Sequence, residues 1–172
     1  MISVNGIDVS VRTYGLSAVG VYEQSGFKIN TLLWAVVQQG NWYELAHKAF
    51  ANAIEGGFQW PKSRWKPWFR LGLNQSSGDS NPDDGDHKTF FAMFHSKDFF
   101  TPLILKPNPR MQVRLDYHRL HLTESADRWY TGGGATANTG TVNGFTARAS
   151  GGETDLGRAL ELIGSYIVEK NC

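Results

Sequence analysis

Polar and apolar residues alternate along several stretches of the chain, a pattern typical of β-strands. The longest run covers residues 110–122, where one side holds Met111, Val113, Leu115 and Tyr117 and the other holds Arg110, Gln112, Arg114, Asp116 and His118. Shorter runs predict further strands at residues 7–22, 28–37, 68–74, 101–106 and 155–168. Six or seven strands separated by polar loops indicate an all-β chain, either a sandwich or a barrel.

Residues 42–57 carry two competing patterns. Leu45, Ala49 and Ala53 recur at helical spacing before a Gly-Gly pair, so local propensity favours a helix. A period of two is present in the same stretch. Residues 38–41 form a polar break before it, and the glycine-rich residues 131–152 predict a long loop or a loop-rich hairpin.

A charged strand face opposite an apolar one fits two environments. In a soluble sheet the charged face meets water, whereas in a membrane barrel it faces the lumen and the apolar face meets lipid. No window of about 18 apolar residues predicts a transmembrane helix. Residues 1–6 lack the basic and apolar regions of a signal peptide, so we expect a cytoplasmic protein, a processed one or part of a longer gene product.

Composition narrows the function only a little. The chain has 172 residues, and 17 Lys and Arg against 16 Asp and Glu give a net charge of +1, which does not indicate nucleic-acid binding. Cys172 is the one cysteine, which excludes an intramolecular disulfide and a cysteine-built zinc site. The length fits one domain or a piece of a larger one.

Several blocks of the sequence resemble the alginate export family. They are residues 66–73 (KPWFRLGL), 77–85 (SGDSNPDDG), 103–109 (LILKPNP), 114–120 (RLDYHRL) and 127–135 (DRWYTGGGA). The ordered series extends over roughly residues 10–166. The resemblance implies an antiparallel transmembrane β-barrel of the Gram-negative outer membrane, in which residues 42–60 form a strand. The family's exporter is a monomeric barrel of about 18 strands with an electropositive lumen.

The chain departs from the family's pattern in three ways. It has no signal peptide or longer N-terminal half, its connection from Phe94 to Asp98 is short, and it stops at Cys172 before a last hairpin. We therefore expect residues 1–172 to be a single partial domain, the C-terminal part of a larger barrel.

The length itself limits what such a segment does alone. At about 20–25 residues per strand and connection, it supplies seven or eight strands. A closed barrel of that size is filled by side chains, and an open sheet exposes unpaired edges to lipid. Passage of a polysaccharide therefore requires a missing N-terminal half or self-association.

The resemblance gives the charged faces a role as a substrate path. Alginate carries a carboxylate on each sugar, and fixed cations compensate a polyanion that leaves bulk water. Arginine suits this because its guanidinium binds carboxylates with two parallel bonds. The predicted lumen residues are Arg70, Lys48, Arg110, Arg114, Asp116 and His118. Asp116 would orient the arginines, and Lys48 is preferred to His47 because it shares a side with Glu44 and Asn52. The alternative is a solvated face of an ordinary sheet.

Other chemistry is sparse in the sequence. Asp79, Asn81 and Asp83 alternate before a glycine, as oxygen ligands do in calcium loops, and form a calcium candidate. Pro82 and the missing Glu depart from the EF-hand pattern, so the alternative is a hydrated acidic turn. No zinc-protease motif or nucleophile elbow occurs. We predict a protein that is not an enzyme and has no cofactor apart from this calcium candidate.

The sequence thus predicts an outer-membrane channel segment for passive export or diffusion of an anionic polysaccharide or small anionic solutes. Its expected partners are outer-membrane lipid and the polysaccharide, and not nucleic acid. Trp65, Trp68 and the pair Trp129-Tyr130 are candidates for aromatic girdles at strand ends. The alternatives are a soluble β-sheet module that binds carbohydrate through exposed tryptophans and a non-functional fragment.

Overall fold

The computed structural model describes residues 9–42, 45–90, 96–131, 141–142 and 145–168, and its elements are strands. In chain order they are β1 (Val9–Gln24), β2 (Phe27–Trp42), β3 (Leu45–Gln59), β4 (Trp68–Ser76), β5 (Asp86–His87), β6 (Ser96–Asn108), β7 (Met111–Leu122), β8 (Arg128–Thr131), β9 (Thr141–Val142), β10 (Phe145–Ala149) and β11 (Asp155–Tyr166). Across these ranges no helix is long and apolar enough to cross a membrane. The predicted all-β fold is confirmed.

Seven long strands form one antiparallel sheet in the order β1-β2-β3-β4-β6-β7-β11. The short β5 joins it by pairing in parallel with β3, and β8, β10 and β9 form a small separate sheet. Within the described ranges β1 pairs only with β2, and β11 only with β7. The main sheet is therefore not closed, and β1 and β11 are its edges.

The connections differ between the two ends of this sheet. Residues 25–26, 60–67 and 109–110 connect strands at one end, which we call the short-turn end. The segments 77–95 and 123–154 leave from the opposite, long-loop end. The tight β1–β2 turn needs Gly26, whose φ of 111° is one that other residues rarely adopt.

The helix that propensity favours at residues 42–57 is wrong, and the strand that the family resemblance implies is correct. β3 pairs with β2 along its whole length and with β4 along its second half. Hydrogen bonding on both edges outweighs the weak helical preference of its alanines. Residues 38–41 are likewise not a break, because β2 continues to Trp42. Gly40 is needed there for close approach: a Cβ on it would lie 1.9 Å from the Ser10 carbonyl oxygen.

The pairing register separates the sheet into two faces, because directly paired residues project to the same side. One side, which we call the apolar face, exposes large hydrophobic side chains on all seven strands. They include Tyr14, Leu16, Leu33, Val37, Phe50, Ile54, Phe69, Leu71, Leu73, Phe99, Leu115, Leu160 and Leu162. The other side, the polar face, carries most of the charged residues of the strands. Val19, Val21 and Ile163 are exposed on it at the two edge strands.

The small buried core lies on the polar face, where the segment 77–90 folds back over β2 and β3. Phe90 packs with Val36, Ala49 and Ala51. Ser77 fixes the segment to β3 because its N–H donates to the Phe50 carbonyl oxygen over 2.8 Å, and the Phe50 N–H donates to the Ser77 hydroxyl oxygen over 2.9 Å. The apolar face has no comparable cover among the described residues.

Candidate functional site

Four neighbouring strands, β4, β6, β7 and β11, carry one cluster of polar and charged residues on the polar face. Trp68, two residues before Arg70 on β4, pairs with Ile104 on β6, and Ile104 pairs with Arg114 on β7. Asp116 on β7 pairs with Glu161 on β11. Because strand residues two apart share a side, Arg114 and His118 project to the same face as Asp116. The structure thus brings four of the predicted lumen residues to one surface.

Arg70 is held by an acidic and an aromatic neighbour. Its Nε donates to Glu55 Oε1 over 2.6 Å, and its Nη2 donates to the same oxygen. Its guanidinium lies 4.9 Å from the centre of the Trp68 ring. A Cβ at Gly57, opposite Arg70, would lie 2.8 Å from the Trp68 indole nitrogen, so this glycine makes room for the ring. Trp68 therefore lies on the polar face and not in an aromatic girdle.

Arg114 and Asp116 form an ion pair along β7. The Arg114 Nε lies 2.8 Å and 2.7 Å from the two carboxylate oxygens of Asp116. The Asp116 side chain is only 4% exposed, whereas that of Arg114 is 39% exposed. The Arg114 guanidinium is therefore the exposed member of this ion pair.

His118 lies between an acidic and an aromatic neighbour from β6. Its Nδ1 is 3.1 Å from both carboxylate oxygens of Asp98. Its ring stacks on Phe100 with centroids 5.9 Å apart. Phe100 in turn covers Gly72, where a Cβ would lie 2.2 Å from the ring.

Acidic partners balance the cations of the polar face. Lys28 also has an acidic partner, because its Nζ lies 2.5 Å from Glu23 Oε1. At register-paired positions the face carries three Lys or Arg residues, Lys28, Arg70 and Arg114, and five carboxylates, Glu23, Glu55, Asp98, Asp116 and Glu161. The electropositive surface that the resemblance implies is therefore not present at these positions.

Two predicted lumen residues lie elsewhere. Lys48 projects from β3 to the apolar face, because it pairs with Gln39 and shares its side with Phe50 and Ile54. Its assignment to the lumen face is therefore wrong, and His47 projects to the polar face instead. Arg110 lies in the turn before β7, where its backbone N–H donates to Asn108 Oδ1 over 2.9 Å.

A buried histidine pair fixes β5 to β3. The Nδ1 atoms of His47 and His87 are 2.8 Å apart, so one of them carries the proton that the other accepts. Gln38 Oε1 lies 3.4 Å from His47 Nε2, and the Trp42 ring stacks on His87 at 4.7 Å. Both imidazoles are almost fully buried. This cluster holds the folded-back segment against the polar face.

The loop proposed for calcium is held by the protein's own backbone. Asp79 accepts from the N–H of Asn81 at 3.0 Å and from the N–H of Lys88 at 3.2 Å. Its own N–H donates to the buried carboxylate of Asp127. Asp83 is exposed and apart from this network. In the described part of the chain no group of three or more His, Cys, Asp or Glu residues could hold a metal ion, so the structure offers calcium no support.

One further carboxylate of this loop has a cationic partner. The Lys88 ammonium lies 2.5 Å from Asp84 Oδ2 and lowers the pKa of that carboxyl group. The Lys88 ammonium is therefore paired with carboxylates of its own loop.

Sequence reasoning missed Glu55 and Asp98, the acidic partners of Arg70 and His118. Glu55 lay in a stretch that propensity assigned to a helix, and Asp98 lay in a presumed connection. The alternation of β3 and β6 was present, but only the register shows which cation each carboxylate meets.

An antiparallel sheet with an exposed apolar face and an ion-paired polar face is typical of transmembrane β-barrel proteins. The alginate export family matches residues 6–103, more than half of the 172 residues. The chain belongs to the alginate export family, a family of outer-membrane β-barrel porins. No curated protein and no solved structure matches it.

Proposed function

We propose that the main sheet is part of the wall of an outer-membrane channel that passively exports an anionic, alginate-like polysaccharide. The apolar face contacts lipid and the polar face lines the substrate path. The observation that carries this proposal is that the seven long strands of the main sheet share one exposed apolar face and one ion-paired polar face.

The dimensions of the apolar face support contact with a bilayer. On β1 it extends from Tyr14 to Tyr22, nine residues, which matches the roughly 9–11 residues with which a tilted strand crosses the hydrocarbon region. Membrane barrels carry an outward apolar band about 25 Å tall with aromatic residues at both borders. Tyr14 and Tyr22 occupy these borders on β1, and Trp65 is exposed beyond the short-turn end.

The same face argues against a soluble carbohydrate-binding module. Soluble monomers rarely expose a contiguous apolar patch of more than a few hundred Å². A soluble sandwich would also bury one face of the sheet against a second sheet. Here the apolar face has no such second sheet within the described ranges.

The ion pairs of the polar face suit a passing polyanion. A uronate carboxylate approaches the open side of Arg114 and competes with Asp116 for the guanidinium. Because each cation keeps its intramolecular acceptor, binding stays weak enough for release, as conduction requires. Arg70 and His118, placed on the same face, provide the next contacts along the wall.

A pore requires closure of the sheet. Strand edges do not remain unpaired in the hydrocarbon region. We propose that additional strands, from a longer barrel or from a second copy of the chain, pair with β1 and β11.

Conductance of the full chain in planar bilayers tests this function. We expect discrete channel openings that an oligouronate interrupts on entry, and weaker interruption by an uncharged dextran of matched length. Absence of channels in every oligomeric state obtained, or equal interruption by both polymers, would contradict the proposal.

A further inference from the structure

Basic residues occupy the border of the apolar face at the long-loop end of the sheet. We call this group the cationic belt. It consists of Arg12, Lys48, Lys97, Arg119, His121 and Arg158. None of these residues belongs to the substrate path, because all of them project away from the polar face.

The register places the belt directly beyond the apolar surface. Arg12 pairs with Gln39, which pairs with Lys48, and these residues follow the row formed by Tyr14, Val37 and Phe50. On β6 and β7, Lys97 pairs with His121 one row beyond Phe99. On β7 and β11, Arg119 follows Tyr117 and Arg158 follows Leu160, and Arg119 pairs with Phe99. The belt therefore lies on β1, β3, β6, β7 and β11, where the apolar side chains of each strand end towards the long-loop end.

The belt is not neutralised by the protein. The carboxylates at paired strand positions lie on the polar face, with the exceptions of Asp155 opposite His121 and Asp86 opposite Ala46. Arg12, Lys48, Lys97, Arg119 and Arg158 make no ion pair with any residue that the structure describes. On the polar face, by contrast, Lys28, Arg70 and Arg114 all have acidic partners.

Arg119 and Arg158 are the most informative members. They lie directly opposite each other on β7 and β11, and both are exposed. Like charges at directly opposed positions destabilise a sheet. An external anion that bridges the two guanidinium groups removes this repulsion, and arginine binds phosphate with two parallel bonds.

A second feature provides space for a headgroup. A cleft of about 330 Å³ lies beside Arg12, on the apolar side of the β1–β2 pair. It is lined by Ser10, Arg12, Tyr14, Gln39, Gly40 and Asn41. These side chains offer one cation and several hydrogen-bond donors at the height where the apolar surface ends.

We propose that the cationic belt binds the phosphate groups of anionic lipids in the leaflet surrounding the long-loop end, an inference that rests on the proposed membrane-embedded function. Lipid phosphates lie at the border between hydrocarbon and water, which is where the belt lies. In membrane barrels the longer loops are extracellular, so this leaflet is the outer one.

Spin-labelled lipids test the proposal with the full chain in phosphatidylcholine bilayers. Electron spin resonance measures the fraction of labelled phosphatidic acid and of labelled phosphatidylcholine that the protein immobilises. We expect a preference of several-fold for phosphatidic acid. The variant R119Q/R158Q should lose about fivefold for each cation that contributes, since one basic residue near a charged membrane surface is worth about 1 kcal/mol.

The matched control is K28Q/K88Q, which removes the same charge from two residues outside the belt, Lys28 on the polar face and Lys88 within the acidic loop. It should keep the preference of the unmodified chain. Thermal unfolding provides a second measurement: R119Q/R158Q should raise the melting temperature in phosphatidylcholine, where no anion bridges the arginines. It should also abolish the stabilisation that phosphatidic acid gives the unmodified chain.

The outcomes separate the two proposals. If neither labelled lipid is immobilised, the membrane-embedded function fails and the belt proposal fails with it. If both lipids are immobilised equally, or if K28Q/K88Q loses the preference as R119Q/R158Q does, only the belt proposal is wrong. If inorganic phosphate in the buffer removes the preference, the belt is a site for soluble anions and the lipid assignment is overturned.

Discussion

At the scale of single residues, the polar face is organised by short-range ion pairs. Arg114 and Asp116 lie two positions apart on one strand, whereas Arg70 and Glu55 meet across two strands. In both pairs the carboxylate is the more buried member. The carboxylates therefore position the cations and limit how strongly these cations attract a passing anion.

Removing the carboxylate should reveal this role. Asp116→Asn leaves Arg114 without its acidic partner, so we expect a shift of the reversal potential towards anion selectivity under a salt gradient. Because Asp116 is 3% exposed, loss of its charge-assisted bond should also lower the free energy of unfolding by about 1–3 kcal/mol. Bilayer conductance and urea unfolding in detergent measure the two effects. Unchanged selectivity would show that Arg114 does not contact the permeating ions.

Removing the cation of the same ion pair should change the anion selectivity in the opposite direction. Arg114→Gln removes the open guanidinium of the polar face, so we expect a lower rate of oligouronate entry and weaker anion selectivity. Arg110→Gln is the comparison, because it removes the same charge from the turn before β7. Equal effects of the two variants would mean that general electrostatic attraction, and not the position of Arg114, determines entry.

At the scale of elements, the sequence predicted strands where polarity alternates clearly, as in β7. It did not predict β3 from its own residues, because alanine, glutamate and lysine favour a helix until β2 and β4 pair with them. The misplacement of Lys48 has a related cause. The polar neighbours Glu44 and Asn52 favour the polar face for Lys48, but its pairing with Gln39 places it on the apolar face.

Partner choice across strands could not be predicted from the sequence. Which carboxylate meets Arg70 or His118 depends on register, and a shift of one residue would move every side chain to the other face. The alternation in β7 alone suffices to put Arg114, Asp116 and His118 on one side. The partners Glu55 and Asp98 require the three-dimensional pairing.

The close packing of β4 against β6 is testable at Gly72. A Cβ there would lie 2.2 Å from the Phe100 ring, so Gly72→Ala should displace the ring and destabilise the sheet by about 1–3 kcal/mol. Phe100→Ala in the same chain removes the clash and should restore part of the loss. A double-mutant cycle from urea unfolding measures this coupling, and additive effects would contradict the packing.

The attachment of β5 is testable through the histidine pair. His87→Phe keeps an aromatic ring beside Trp42 but removes the bond to His47 Nδ1, which is then buried without that partner. We expect faster protease cleavage within residues 77–90 and a loss of about 1–3 kcal/mol in stability. Asp83→Asn, an exposed change in the same loop, should leave the cleavage rate unaltered. Equal rates in both variants would mean that other contacts hold the loop.

At the scale of the whole molecule, the chain has a small core and a large exposed apolar face. Its buried hydrophobic residues are Val36, Trp42, Ala49, Ala51, Phe90, Ile104 and Leu122. Apolar burial is the main favourable contribution to folding, so most of the available burial arises only when the apolar face meets lipid or detergent.

Folding should therefore depend on an apolar medium. We expect the full chain to aggregate on dilution from urea into buffer, and to gain β-sheet circular dichroism when phospholipid vesicles are present. Replacing Leu71 and Leu160 on the apolar face with aspartate should prevent the gain. The same replacement at Ser17 and Ala53, on the polar face, should be milder. A soluble, monomeric β-sheet in plain buffer would contradict the lipid-facing assignment.

The difference between the two ends of the sheet also affects how the chain would enter a lipid vesicle. A chain that enters a preformed vesicle from outside must move one set of connections through hydrocarbon, and each polar backbone group that crosses loses its hydration. The two-residue turns at Ser25-Gly26 and Pro109-Arg110 carry little polar mass, whereas residues 77–90 carry four aspartates. If the sheet inserts as proposed, we expect the two-residue turns to lead and the acidic loop to trail, so that the inserted molecules share one orientation.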